Sequence, residues 1–327
     1  MIIGQHFTNK NIFSHPVFKK WLEVALKNSK NKVILEPFAG KNSIIKMLLD
    51  LSLINQFKSY DISPQDENVI INDSIHNFPN NFQICVTNPP FLARPIATRK
   101  NININIYPYF DLYEKCLDLC LINCDYVAVV IPESFIVTKY FKSRLFAVIS
   151  ITEKSIFSTT EHPVCLALFN KNPTKDFSVY RNNIFLGDFY SLKNKINKFL
   201  YLEPLNHIIF HHKEGEIGLI NIDATLQDKK INFCNGNDIL SSEVNSQSKL
   251  RTRIKIILPN GKSPNKKQLK AFIECCNLIL FEYRQLTNDI FITAFKGLNN
   301  DGTYRRRLDF TTAKKICSLA YEKVFNQ

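Results

Sequence analysis

The sequence predicts an α/β protein: a seven-stranded, doubly wound and mostly parallel sheet, followed by a smaller mixed α+β domain. In the first 170 residues, apolar runs of strand length alternate with segments whose apolar residues recur at helical spacing. This alternation is typical of a parallel sheet covered by helices on both faces. Beyond residue 170 the pattern becomes less regular and basic residues accumulate, which indicates a second domain of different architecture.

Seven apolar runs are the candidate strands of the first domain. They are Lys32 to Glu36, Lys58 to Asp61, Asn68 to Ile71, Gln83 to Thr87, Tyr126 to Ile131, Glu153 to Phe157 and Cys165 to Asn170. Helical spacing of apolar residues predicts helices over His15 to Leu26, Ser43 to Leu51, Phe110 to Leu121 and Lys139 to Val148. The segment Lys171 to Asp176 has turn composition, so we place the domain boundary between residues 172 and 173.

The second domain, residues 173–327, shows few regular elements. Only Gln268 to Leu286 and Thr311 to Val324 have clear helical periodicity. Polar composition predicts long loops over Asn235 to Lys249, Pro259 to Lys267 and Gly297 to Arg307.

Composition excludes several classes of protein. The chain has 327 residues and is 45% hydrophobic and 12% aromatic, which excludes a disordered or fibrous protein. It contains no apolar run of about eighteen residues, as a membrane span requires. Its start lacks the basic and apolar regions of a secretory signal. We therefore expect a cytoplasmic protein of prokaryotic or viral type, with no membrane partner.

The nine cysteines include no CxxC pair, which favours neither a disulfide framework nor a zinc ribbon. Cys116, Cys120 and Cys124 recur every four residues, a spacing that forms one apolar stripe on a helix, and we expect them in the core. His207 and the pair at 211–212 have no acidic or cysteine ligand at suitable spacing. We therefore expect no metal site.

The net charge of +13 is distributed unevenly along the chain. Residues 1–170 hold 17 Lys and Arg against 14 Asp and Glu, whereas residues 171–327 hold 25 against 15. A basic half-chain favours a polyanionic partner such as nucleic acid.

The strongest chemical signal is the segment Asn88-Pro89-Pro90-Phe91, which follows the apolar run Ile84 to Val86. This places it just past the carboxyl end of a strand, at the sheet edge where α/β proteins bind ligands. Alone, four residues could be an ordinary proline-rich turn, but other strand ends carry matching chemistry.

Three acids end or follow the first three candidate strands. Glu36 begins a turn of small residues, Glu36 to Gly40, that could pass close under a ligand while the carboxylate receives an amino group. Asp61 could accept both hydroxyls of a ribose, and Asp73 could accept from an exocyclic adenine amine. Together they predict a nucleoside cofactor at this edge.

With these residues in this order, the first 170 residues resemble the γ class of S-adenosylmethionine-dependent amino-methyltransferases that act on DNA adenine, as in restriction-modification systems. The resemblance implies that the chain is an adenine-specific DNA methyltransferase with a Rossmann-like catalytic domain in residues 1–172 and a target recognition domain in residues 173–327. In Gly4 to Thr8, the resemblance implies that Thr8 contacts the methionine part of the cofactor. It implies further cofactor contacts from Glu36, Phe38, Gly40, Asp61, Ile62, Asp73 and Asn88.

Downstream, Tyr126 to Phe135 resembles the fifth-strand segment of the family, and Phe157 falls where the family has an aromatic residue that stacks on the extruded base. Two positions depart from the family pattern: Asn9 replaces the usual Pro, and Asn42 replaces a common loop Gly. Asn tolerates positive φ better than other residues with a side chain, so we expect the loop at Asn42 to keep its shape.

The chemistry explains why these residue types would be needed. An exocyclic adenine amine is a weak nucleophile because its lone pair is delocalised into the ring. Two acceptors, the Asn88 side-chain oxygen and the Pro89 carbonyl, could bond its two N–H groups and favour tetrahedral nitrogen, while the two prolines stiffen the turn. Phe91 would stack on the base, which must leave the duplex to be reached.

Basic residues supply candidate phosphate contacts for double-stranded DNA. They are Arg94, Arg99, Arg251, Arg253, Arg305, Arg306 and Arg307. We expect a monomer, with a cognate restriction endonuclease as a possible functional partner.

Two other functions compete with this interpretation. The same segment serves methylation of rRNA adenines and of protein glutamines, since all of these acceptors are planar amino groups. A catalytically silent nucleic-acid-binding module would also keep the fold. The basic second half favours a polyanion over a protein acceptor, and the intact Asn88 and Asp61 favour an active enzyme.

Overall fold

The computed structural model describes residues 12–102, 104–151, 163–211, 214–223, 230–239, 252–258, 264–298 and 304–325. The chain forms two compact units, Met1–Phe189 and Tyr190–Gln327.

Unit 1 contains a nine-stranded sheet. Its strands are β1 (Ile34–Glu36), β2 (Phe57–Asp61), β3 (Val69–Ile71), β4 (Ile84–Thr87), β5 (Tyr126–Pro132), β6 (Leu145–Ile151), β7 (Val164–Phe169), β8 (Ser178–Arg181) and β9 (Ile184–Asp188). The spatial order is β3-β2-β1-β4-β5-β7-β6-β8-β9. Strands β1 to β5 are mutually parallel, whereas β7 is antiparallel to both β5 and β6. The predicted α/β fold with a mostly parallel sheet is confirmed. The predicted number of seven strands is wrong, because β8 and β9 extend the sheet to nine strands in the described residues.

The helices of unit 1 are α1 (Pro16–Asn28), α2 (Ser43–Asp50), α3 (Arg94–Arg99) and α4 (Leu112–Asn123). Helix α1 begins with Pro16 at its first turn, where a missing N–H costs nothing. Helix α4 begins with a capping box in which Asp111 and Glu114 each bond a backbone N–H of the other. One core cluster joins α1 and α2 to β1, β4 and β5, so this packing fixes the sheet edge to which the site residues belong.

The cysteine prediction is confirmed. Cys116 and Cys120 lie on α4 and Cys124 follows its last residue; all three are buried. The sulfur of Cys120 lies 3.8 Å from that of Cys85 on β4, so this stripe packs the helix against the sheet.

The predicted helix over Lys139 to Val148 is wrong, because residues Leu145–Ile151 form strand β6. The strand pairs on one side with β7 and on the other with β8, and it is buried along almost its whole length. A strand buried on both faces has a continuous apolar sequence rather than an alternating one, so periodicity alone cannot distinguish it from a helix. The predicted strand over Glu153 to Phe157 lies outside the described residues.

Unit 1 ends at Phe189 rather than at the expected residue 172. The difference arises because β8 pairs with β6 in parallel and β9 pairs with β8, so the sheet continues past the turn-rich segment.

Helix α5 (Phe189–Phe199) starts at the last residue of unit 1 and continues into unit 2. The other helices of unit 2 are α6 (Lys266–Thr287) and α7 (Phe310–Phe325). Its strands are β10 (Ile209–His211), β11 (Ile217–Ile220), β12 (Asn232–Asn235), β13 (Arg253–Ile257), β14 (Thr293–Leu298) and β15 (Tyr304–Arg307). The first four form an antiparallel sheet in the order β10-β13-β11-β12, and the last two pair with each other. The unit is therefore α+β, as predicted.

The two predicted helices of this unit are confirmed as α6 and α7. The predicted loop over Gly297 to Arg307 is wrong at its ends, because residues 297–298 belong to β14 and residues 304–307 to β15. Its basic composition concealed a strand that pairs antiparallel with β14. None of the helices in the described part of the chain is long and apolar enough to cross a membrane.

Candidate active site

The site is built from the carboxyl ends of parallel strands, which meet at one edge of the sheet. Glu36 is the last residue of β1 and is only 1% exposed. Its Oε1 accepts a hydrogen bond from the Thr87 hydroxyl at 2.6 Å and another from the Phe38 N–H at 3.1 Å. Its Oε2 is buried and makes no hydrogen bond within the described residues.

Burial raises the pKa of Glu36 to about 8; the hydrogen bonds from Thr87 and Phe38 oppose this shift, and the negative charge of Asp61 adds to it. The carboxyl group is therefore largely protonated at neutral pH. A cationic group beside Oε2 would favour the ionised form and complete its hydrogen bonding. Glu36 is thus suited to bind an amino group.

Two residues of the loop after β1 have left-handed backbone conformations. Gly40 has φ of +50°, and its N–H donates to Asp61 Oδ2 at 2.8 Å. Asn42 has φ of +60° and its side-chain oxygen accepts from the Ser59 hydroxyl at 2.8 Å. Asn42 therefore adopts the left-handed conformation expected of it, and a buried hydrogen bond holds it there.

Asp61 ends β2 and ties two loops together. Besides Gly40, it accepts a hydrogen bond from the Ser63 N–H at 2.8 Å, through Oδ1. The carboxylate is only 6% exposed, whereas the side chain of Ile62 is 62% exposed. The predicted ribose contact of Asp61 and base contact of Ile62 stay predictions; a carboxylate oxygen that already accepts one bond can accept another.

Asp73 follows β3 and fixes the next turn. Its Oδ1 accepts from the Ile75 N–H at 3.0 Å, and its Oδ2 lies 2.8 Å from His76 Nδ1. Burial acts to raise the pKa of Asp73, but the hydrogen bonds from His76 and the backbone outweigh it and lower the pKa. The carboxylate of Asp73 thus stabilises this turn. Its predicted contact with an adenine amine stays a prediction.

The segment Asn88 to Phe91 follows β4 directly, as predicted. Pro89 is buried, and the other three residues are half-buried. The Phe91 ring meets the Tyr113 ring edge to face, with centroids 6.1 Å apart and an interplanar angle of 81°. Thr87, immediately before Asn88, is the residue that bonds Glu36, so one hydroxyl connects the predicted catalytic segment to the predicted cofactor site.

Asp111 fixes the backbone just after the Asn88 to Phe91 segment by a side-chain hydrogen bond. Its Oδ1 accepts from the Leu92 N–H at 2.9 Å, while the same side chain caps α4. Leu92 belongs to a buried cluster against which Phe38 and Ile75 pack. The loops after β1, β3 and β4 therefore share one small core.

Sequence reasoning missed Thr87, Asp111 and Tyr113. Asp111 and Glu114 have the spacing of a capping box, so that signal was available. Thr87 was placed only as a strand residue, and nothing in the sequence singles out Tyr113.

The remaining predicted site residues, apart from Arg306, are partly outside the described residues and partly on the surface of the two units. Thr8, Asn9, Phe157 and Arg251 lie outside the described residues. Arg94 and Arg99 are exposed on α3, and Arg253, Arg305 and Arg307 are half-buried on strands of unit 2.

The expected phosphate contact of Arg306 is wrong. The residue is only 4% exposed, and its guanidinium donates to the Ile292 carbonyl at 3.3 Å. Because alternate residues of a strand point to opposite faces, the middle arginine of the three points into the core of unit 2.

No protein-family model matches the chain, and no curated protein matches it. Among solved structures, the chain is similar to a Listeria monocytogenes protein described as a class I S-adenosylmethionine-dependent methyltransferase, with a TM-score of 0.42 and 13% identity over 56% of this chain and 68% of that one. It is similar to a type I restriction-modification methyltransferase subunit from Streptococcus thermophilus, with a TM-score of 0.38 and 12% identity over 63% of this chain and 55% of that one.

The M protein of the type I restriction enzyme EcoKI is also similar, with a TM-score of 0.34 and 16% identity over 50% of this chain and 46% of that one. The aligned part thus spans about half of the two restriction-modification chains.

Proposed function

We propose that the protein transfers a methyl group from S-adenosylmethionine to the N6 amine of adenine in double-stranded DNA. The catalytic residues would belong to unit 1, and the basic unit 2 would recognise the target sequence. The observation that carries the proposal is the hydrogen bond from Thr87 to Glu36, because it joins a buried acid suited to an amino group to the segment Asn88 to Phe91.

The residues present fit the proposed cofactor. Glu36 Oε2 is a buried acceptor with no hydrogen bond from the described residues, as expected of a carboxylate that receives the amino group of a ligand. Gly40 would allow the close backbone approach, Asp61 would provide the acid and the exposed Ile62 would provide the apolar surface that a nucleoside needs. S-adenosylmethionine would supply an electrophilic methyl group.

The roles in unit 1 follow from position. The Asn88 side-chain oxygen and the Pro89 carbonyl would accept hydrogen bonds from the two N–H groups of the adenine amine and so make its nitrogen nucleophilic. After transfer, the methylated nitrogen would lose one proton to solvent, so no general base is needed. Phe91, whose ring is held by Tyr113, would support the base face. Preorganised acceptors of this kind lower the barrier because they need no rearrangement during reaction.

Methyl transfer to DNA tests the proposal. Purified protein incubated with DNA and cofactor labelled in the methyl group should give labelled N6-methyladenine, measured by mass spectrometry of the digested DNA. Label in RNA or in protein glutamine instead would reject the proposed acceptor.

Asn88→Ala should lower the turnover number by about 10²–10³, the usual cost of losing one preorganised partner. Asn88→Asp should lower it less, because an acceptor oxygen remains. Cofactor affinity, measured by calorimetry, should fall much less than the turnover number in either variant, because most of the predicted cofactor contacts remain. Near-normal turnover of Asn88→Ala would reject the assigned active site.

A further inference from the structure

Three exposed aromatic side chains lie on the loops that follow β4 and β5. Tyr107, Phe110 and Tyr140 are 75%, 59% and 71% exposed, and we call them the aromatic rim. We propose that the aromatic rim binds DNA by stacking on bases beside the target nucleotide. This inference rests on the proposed function. It adds three residues that are not among the site residues implied by the family resemblance.

The two loops of the rim are in contact. The rings of Tyr109 and Phe141 stack, with centroids 6.3 Å apart and an interplanar angle of 25°. Each of these residues is the sequence neighbour of a rim residue, Phe110 and Tyr140 respectively. The stack therefore brings the two parts of the rim into one region at the carboxyl edge of the sheet.

Hydrogen bonds fix the backbone at two of the rim residues, Tyr107 and Phe110. Phe110 donates its N–H to Glu114 at 2.8 Å, and its carbonyl accepts from the Arg94 N–H at 2.9 Å. The N–H of Tyr107 donates to Asn105 Oδ1 at 3.1 Å, and the preceding Ile106 is buried. Tyr107 and Phe110 thus present exposed rings from a hydrogen-bonded backbone, which reduces the entropy lost on binding.

These contacts also place the rim beside the catalytic segment. Arg94 begins α3, three residues after Phe91, and bonds Phe110. In the same region Ala97 of α3 packs with Leu92 and Ile106 in the buried cluster that Phe38 joins. Bases held by the rim would therefore lie next to the predicted target site.

The charge around the rim matches a nucleic acid. Arg94, Arg99, Lys100 and Lys139 are all exposed. The nearby acids are engaged within the protein: Asp111 and Glu114 cap α4, and Asp118 accepts from the Tyr109 hydroxyl. A partner with planar apolar faces and regular negative charge satisfies both features, and DNA has both.

A binding experiment tests the proposal. Fluorescently labelled DNA duplexes carrying a single mismatch, and the same strands unpaired, are titrated with wild-type protein and with the double variant Phe110→Ala/Tyr140→Ala. Stacking is worth about 1–3 kcal/mol per base. We therefore expect at least a tenfold loss of affinity for both DNAs in the double variant.

Salt dependence separates stacking from charge. The double variant should keep the wild-type slope of log affinity against log salt, because it retains every cation that neutralises a phosphate. Arg94→Gln/Arg99→Gln should instead reduce the magnitude of the slope, by about 0.9 for each phosphate that is no longer neutralised. A double rim variant that changes the slope but not the affinity in high salt would overturn the stacking inference.

Phe185→Ala is the matched control, since Phe185 is 54% exposed in the same unit but lies on edge strand β9. Phe185→Ala should bind DNA with an affinity within twofold of wild type, and a loss equal to that of the double rim variant would overturn the proposal.

Cofactor affinity and thermal melting report the folding of every variant. Phe110→Trp, which keeps an aromatic ring at this position, should bind DNA as wild type does. If wild type transfers methyl groups to DNA but the rim variants bind normally, the rim inference alone fails; if wild type binds DNA through the rim but transfers none, the proposed function alone fails.

Discussion

Two buried carboxylates, one in each unit, are used in opposite ways. Asp223 in unit 2 is 4% exposed and Glu36 in unit 1 is 1% exposed. Asp223 Oδ1 accepts from Arg284 at 3.0 Å and from the Ile231 N–H at 3.0 Å, and its Oδ2 accepts from Arg284 at 3.2 Å and from the Arg306 N–H at 3.1 Å. Both oxygens are therefore satisfied by the protein, whereas Glu36 uses only Oε1 within the described residues.

The difference separates a carboxylate that holds the fold from one that is available to a ligand. Arg284 bridges Asp223 and Asp289; burial acts to lower the pKa of its guanidinium, but the two carboxylates outweigh it and raise the pKa. The cluster connects the end of α6 to β15. Glu36 has no cationic partner among the described residues, and burial keeps it largely protonated at neutral pH.

The substitution expected to have the largest effect is that of Asp223, and the effect is on stability. Asp223→Ala should lower the free energy of unfolding of unit 2 by about 3–5 kcal/mol, because the half-buried Arg284 loses one of its two carboxylate partners and two backbone N–H groups lose their acceptor. Denaturant unfolding, with probes in each unit, would measure this. A loss below about 1 kcal/mol would contradict the structural role of the cluster.

Glu36→Gln should affect cofactor binding much more than folding, the opposite of Asp223→Ala. Its effect on folding should be small and, near pH 8, stabilising, because the neutral amide avoids burying a charge. Cofactor affinity should fall at least tenfold, or about 1.4 kcal/mol, since the charge-assisted bond to the ligand amino group is lost. Calorimetry measures the affinity and thermal melting the stability. Unchanged affinity would mean that Glu36 does not receive the amino group.

The sequence predicted the positions of the candidate site residues in unit 1 but not the Asp223 cluster in unit 2. Glu36, Asp61 and Asn88 were predictable because parallel strands bring their carboxyl ends to one edge, so local position in the chain reports position in space. The Asp223 cluster joins residues from three distant segments, and no local pattern indicates such pairing. Arg306 is an example of a residue that the sequence misassigned. In the sequence it is one of three consecutive basic residues, whereas in the fold its side chain is buried.

Protonation gives the finest test of the comparison. The pKa of Glu36 is raised to about 8 in the folded protein, so between the ordinary glutamate pKa and about 8 the native state holds a proton that the unfolded chain releases. The stability that this proton contributes is fully present below the ordinary pKa and is lost as pH rises through about 8. A bound amino cation would favour the ionised carboxylate and expel the proton.

Cofactor binding between pH 6 and 7 should therefore release up to about one proton, and affinity should rise with pH by at most tenfold per unit over this range. Calorimetry in buffers of different ionisation enthalpy counts the protons directly. In Glu36→Gln the release should vanish and the affinity should become nearly independent of pH. Asp223 already has its cationic partner, so Asp223→Asn, provided that it folds, should leave the proton count of cofactor binding unchanged. Proton release that persists in Glu36→Gln would assign the titration to another group and remove Glu36 from the contrast.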